Sequence, residues 1–265
     1  MLHAAWNALL KRLGGDGGVI WLSQVCGVLA ALPLAWWRLD PATLTPRAWG
    51  WLALAGVVQG VYFALLGRAY ARGDLSLVYP LARGGGVALA ALSSAFVFHD
   101  ALSTLTLAGI AAVCLGTVQL SRGGQADPVG VGLALLVAVS LGVGSTTDKL
   151  AMGDLDPAVY AVGQFIAAIL VSAPRALGAQ RASVLRAARE HPGRSLAIGV
   201  LSLLSYGLAL LAFRAGPLAV AVALRESSVL FGAAIGVFGF GERMTGRRAA
   251  GLATVVLGLA LLRLA

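Results

Sequence analysis

The chain is 265 residues long, 59% hydrophobic and only 12% charged, with a mean hydropathy of +0.87. A soluble domain carries about a quarter charged residues, so this composition excludes an ordinary water-soluble globule and points to membrane spans. The formal charge of +9 does not signal nucleic acid, because most of the 20 Lys and Arg lie in short connections between apolar runs, where they orient helices in a bilayer.

Taken in order, the apolar runs predict helices at 1–13, 18–37, 48–71, 75–98, 101–120, 129–151, 157–174, 195–214, 217–240 and 247–264. Turn chemistry marks the breaks: Asp40-Pro41, Gly73-Asp74, His99-Asp100, Asp127-Pro128, Asp156-Pro157, Pro192-Gly193, Gly216-Pro217 and Gly241-Glu242. The first run is short. About twelve residues of helix cover roughly 18 Å, against a hydrocarbon core of about 30 Å. Either the natural chain begins upstream of Met1 or this helix crosses only part of the bilayer. His3, Trp6 and Asn7 interrupt the start, which therefore does not read as a signal peptide. The polar segment 175–194 carries Arg175, Arg181, Arg186, Arg189 and Arg194, and reads as a basic helix on the membrane surface.

The two halves resemble each other. Lys11 to Asp16 aligns with Lys149 to Asp154, Gly73-Asp74-Leu75 with Gly216-Pro217-Leu218, His99 with Glu242, and Gly109–Gly116 with Gly251–Gly258, at a near-constant offset. Internal similarity on this scale marks a duplicated unit. Five helices per unit is an odd number, so the second copy enters the membrane upside down. Inverted repeats around a midplane site are a recurring transporter architecture. The expected fold is all-α and integral to the membrane, with ten transmembrane helices, the first truncated, as two inverted five-helix repeats over 1–121 and 129–265.

Arg83, Arg225 and Glu226 each lie about nine residues into an apolar run, and the repeat places Arg83 opposite Glu226. An ionisable group near mid-bilayer costs about 2.5–3.5 kcal/mol on insertion scales and marks a functional site by default. Two compatible roles are open: lining a pathway for a charged or zwitterionic substrate, or locking the two halves as a salt bridge. His3, Trp6, Asn7 and Lys11 share one helix face. Lys11 and Trp6 also fit interfacial anchors. Gln24, Gln164, Tyr62, Tyr79 and Tyr206 are further cavity candidates, as is Gln59, although interhelical hydrogen bonds would explain them equally well. Asp148 and Lys149 read as interfacial. Gly84-Gly85-Gly86 either thins its helix near the cavity or permits close packing, and Gly56/Gly60 and Gly232/Gly236 have the spacing of close helix contacts.

Cys26 and Cys114 fall in apolar runs and read as small hydrophobes, with no disulfide or metal site. No Walker A, HExxH or GxSxG motif is present, so neither an ATP-driven pump nor an obvious hydrolase is supported. No cofactor and no catalytic residue is expected.

Three segments carry a family resemblance: His3-Ala-Ala-Trp-Asn-Ala-Leu-Leu-Lys11, Thr147-Asp-Lys149, and Gly241-Glu-Arg-Met-Thr245. They resemble the EamA family of the drug/metabolite transporter superfamily, across essentially the whole chain. Two departures stand out. Phe98-His-Asp100 occupies the place of a Glu-Arg in the first half, and the first helix lacks its start. The resemblance implies ten helices, a cavity lined by helices 3, 4, 8 and 9, and export or exchange of small metabolites. It also implies both termini in the cytoplasm, whereas the charge distribution favours the opposite sense.

The resulting expectation is a multi-pass transporter of the bacterial inner membrane, not an enzyme. It would act by alternating access, as a monomer or homodimer, on a small-molecule substrate, with protons as a candidate coupling ion. Two alternatives stay open. A membrane-embedded lipid-linked flippase or enzyme would show a large lateral opening with acidic or His groups. A non-transporting membrane scaffold would lack a polar cavity.

Overall fold

A computed structural model describes residues 2–13, 17–73, 75–121, 127–240 and 244–265. Among these residues the secondary structure is helical, with no strand. The helices are α1 (Leu2–Arg12), α2 (Gly17–Arg38), α3 (Pro46–Tyr70), α4 (Leu75–Phe96), α5 (Thr104–Ser121), α6 (Pro128–Ala151), α7 (Pro157–Leu177), α8 (Arg181–Glu190), α9 (Pro192–Ala215), α10 (Leu218–Arg225), α11 (Ser227–Phe240) and α12 (Gly246–Leu264). By length and composition α2, Pro46–Leu66 of α3, α6, α7 and α9 can each cross a membrane, while Leu81–Phe96 and Thr104–Leu120 are shorter apolar stretches.

Boundaries follow the turn chemistry. Asp156 caps α7 by accepting from the Ala158 N–H at 2.9 Å, and Pro157 occupies the first turn, where no N–H is needed. Thr245 caps α12 through the Arg248 N–H. His99 takes the left-handed conformation (φ 53°) just past α4, while the Asp100 N–H returns to the Ser94 carbonyl at 2.9 Å. This closes the helix as a glycine normally would.

The chain forms two compact units, Met1–Gly60 with Asp148–Arg214, and Val61–Thr147 with Ala215–Ala265. Each draws on both halves of the sequence, a different partition from the two sequence repeats.

In the first unit α2 meets α9 backbone to backbone. A Cβ on Gly199 would collide with the Ser23 carbonyl and the Gly27 backbone, so only small residues permit this approach. Val28, Ala35, Val162 and Leu203 form the core between α2, α7 and α9. The Trp21 indole N–H donates to the Ile169 carbonyl at 3.1 Å. α3 packs on α7 where Gly56 faces Ala167 and Gly60 faces Val171, as the small-residue spacing predicts. At one end Arg38 donates to Asp156 at 2.7 Å, while Asp154 accepts from the Trp51 indole at 2.6 Å and pairs with Arg47 at 3.1 Å.

In the second unit α5 and α12 pack antiparallel through four glycines. Gly109 lies against the Gly258 carbonyl, and Gly116 against the Gly251 carbonyl. α4 stays helical through Gly84-Gly85-Gly86, and these glycines let neighbouring helices approach closely. Gly84 faces α5 at Cys114 and Thr117, Gly85 faces Ala138 of α6, and Gly86 faces Leu141. The packing of Gly232 and Gly236 lies outside the described residues.

One expectation needs correcting. The run 217–240 divides into two helices, α10 and α11, at one tight turn on Glu226, whose own backbone stays right-handed helical (φ −68°, ψ −11°). The Glu226 N–H bonds to the Ala223 carbonyl at 3.0 Å and the Val229 N–H to the Glu226 carbonyl at 2.9 Å, tight three-residue spacing in place of four. Arg225-Glu226-Ser227-Ser228 puts four polar residues in succession within an apolar run. Serine competes for backbone hydrogen bonds and favours helix starts over interiors.

Candidate functional site

α4 carries Arg83 immediately before its glycine run, and Glu226 caps the end of α10. The two side chains meet. Arg83 Nη2 donates to Glu226 Oε1 at 2.5 Å and Nε to Oε2 at 3.4 Å, a two-point contact. Their side chains are 14% and 3% exposed. Removing one partner of such a buried pair strands the other charge, which costs far more than the pair contributes by existing. The contact therefore persists unless something replaces a partner or neutralises it.

The pair sits in a built setting. Ser94, wholly buried on α4, accepts from the Ala219 N–H at 3.1 Å and donates to Asp100 at 2.5 Å. α10 is thus tied to α4 at both ends, by Ser94 at its start and by Arg83 at its finish. Beside the ion pair lies a cavity of about 40 Å³ lined by Arg83, Gly86, Val87, Leu141, Ser145, Val222, Arg225 and Glu226. That volume has room for a few water molecules.

Of the residues singled out from sequence, Arg83, Arg225 and Glu226 come together here. Tyr62 is half-buried in the same unit. His3, Trp6, Gln24, Gln164 and Tyr206 belong to the other unit. There Trp6 stands edge-on to His3, with ring centres 5.1 Å apart, and packs on Val19, Ala187 and Ile198. Tyr206 leans on Phe165 with ring centres 5.9 Å apart. Gln164 is buried and Gln24 half-buried. The side chains of Asn7, Lys11 and Tyr79 lie outside the described residues, as do Gly241, Glu242 and Arg243 of the last quoted motif.

Ser94 was not singled out, since a serine in an apolar helix carries no distinctive signal. Asp148 was read as interfacial. The structure buries it to 5% exposure and gives it the hydroxyl of the fully buried Tyr160, which donates at 3.0 Å. The signal was available: a carboxylate inside the apolar run of α6, with a Tyr one turn into α7.

The family model for EamA-like transporters matches residues 128–264, more than half of the chain. The chain belongs to the EamA-like transporter family. It is thereby part of the drug/metabolite transporter superfamily, and a multi-pass membrane protein of the transporter kind. The match covers the second repeat as read from sequence. A protein of solved crystal structure shares the fold at a TM-score of 0.77 and 17% identity, over 99% of this chain and 93% of its own. No curated protein matches the chain. The likeness to the solved structure covers the first half of the chain as well as the second.

Proposed function

We propose that this EamA-family chain is a secondary transporter of the bacterial inner membrane. It exports or exchanges a small, charged or zwitterionic metabolite by alternating access, as two inverted five-helix repeats. The observation that carries the reading is the buried Arg83–Glu226 pair at the break between α10 and α11. Transporter sites are commonly built at interrupted helices, and ionisable groups inside membrane helices mark substrate or ion pathways. A substrate carboxylate could take the place of Glu226 on Arg83, or a proton on Glu226 could release Arg83. Either event breaks the tie between α4 and α10 and lets the site open, so substrate or proton binding drives the conformational exchange. Arg225 and Ser145 would complete the polar lining, while His3, Trp6, Asn7, Gln24, Gln164, Tyr62, Tyr79 and Tyr206 supply polar contacts elsewhere along the pathway.

The inverted duplication is supported by the α5–α12 pairing. Gly109 corresponds to Gly251 in the repeat, and Gly116 to Gly258. Each glycine packs against the counterpart of the other, as a two-fold axis between antiparallel helices requires. Arg83 and Glu226 are likewise equivalent positions in contact.

Proteoliposomes carrying the chain and loaded with labelled amino acids, sugars and nucleotides test the proposal. Efflux of at least one solute should depend on the protein, and Arg83→Ala and Glu226→Gln should abolish it while leaving the protein inserted. Full transport by both variants would refute the site.

A further inference from the structure

The five arginines of residues 175–194 are not used by the transport mechanism. α8 turns Val184 and Ala187 inward, and Ala187 packs with Val19 and Ile198 beneath α1. Its position is fixed by Gly17 and Gly18 at the start of α2. A Cβ on Gly18 would lie 2.8 Å from the Val184 backbone nitrogen, and one on Gly17 would meet the Gln180 side chain. With that face committed, helical periodicity turns Arg181, Leu185, Arg186 and Arg189 outward, all exposed, and Arg175 and Arg194 are exposed on either flank. Glu190 is the one acidic residue in the segment.

The depth of α8 follows from α2. Its 22 residues span about 33 Å, one hydrocarbon thickness plus a margin. The far end of α2 carries the exposed Trp36 and Trp37, and tryptophans gather at membrane–water interfaces. α8 covers the other end and joins α7 to α9, two helices able to span. It therefore lies at headgroup depth on the opposite surface, with Leu185 and the neighbouring Leu177 exposed among the arginines.

We propose that α8 is a binding surface for acidic phospholipid headgroups. Guanidinium groups engage phosphate oxygens at two points, and basic residues at a membrane surface each add about fivefold to attraction for anionic lipid. Exposed apolar side chains between them suit the adjoining acyl region.

The test uses the purified full chain in uncharged detergent, titrated with phosphatidylglycerol or with phosphatidylcholine of identical acyl chains. Wild type should bind phosphatidylglycerol at least tenfold more tightly, by native mass spectrometry. R181Q/R186Q/R189Q should bring the two lipids level while leaving the unfolding temperature in detergent alone unchanged. Raising NaCl to 0.5 M should erase the preference of the unmodified chain, a check that needs no variant. Equal affinities in wild type, or a preference that survives both the substitutions and the salt, would overturn the proposal. So would displacement of the lipid by millimolar inorganic phosphate, which would mark a free-anion site.

Discussion

Glu226 and Arg83 are opposite charges held where water is scarce, so their energetics are asymmetric. Arg83→Ala leaves a carboxylate buried and unpaired, and should cost about 3–5 kcal/mol, read as a drop in the denaturation midpoint of the purified protein. Glu226→Gln keeps an acceptor for Arg83 and should cost less. Replacing both, as Arg83→Leu with Glu226→Leu, removes the stranded charge and should recover most of the lost stability. Asp148 and Tyr160 make a second buried polar contact. Tyr160→Phe leaves Asp148 without that donor, and should destabilise by about 1.5–3 kcal/mol in the same measurement. The residues of the buried ion pair were legible because an ionisable side chain in an apolar run is conspicuous. That they touch was suggested by the repeat alignment, which set Arg83 opposite Glu226. Ser94 was hidden, since its importance lies in Ala219, a partner distant in sequence.

Helix boundaries were readable to within a few residues wherever Pro, Gly or Asp punctuates an apolar run, and the basic helix α8 was anticipated by charge and amphipathic pattern. The break at Glu226 was not. The run 217–240 is apolar on both sides of Arg225–Ser228, and whether such a polar stretch interrupts a helix is decided by local competition for backbone hydrogen bonds. Contact between elements rests on glycine in the α5–α12 pair. Gly258→Val would drive its Cβ to 2.7 Å from the Gly109 carbonyl and should cost about 1–3 kcal/mol by overpacking. Gly109→Val, its packing partner, should cost a similar amount. Gly207, with nothing within 4 Å of an added Cβ, should accept Ala with no loss. A circular-dichroism melt of the three variants checks this ranking. A Gly258→Val variant as stable as wild type would mean that the helices do not approach this closely.

At the level of the whole molecule, composition alone indicated helices in a membrane, and family membership establishes a transporter of the EamA type. Two inverted repeats would make both conformations of alternating access the same architecture with the roles of the halves exchanged. An ion pair between equivalent positions is then a natural lock. The central claim is that the Arg83–Glu226 pair serves transport and not only stability. The most direct measurement is solute efflux from proteoliposomes containing the Arg83→Leu/Glu226→Leu double variant, beside its unfolding midpoint. The account predicts a midpoint near wild type with efflux reduced to that of empty vesicles. Wild-type efflux from the equally stable double variant would contradict it.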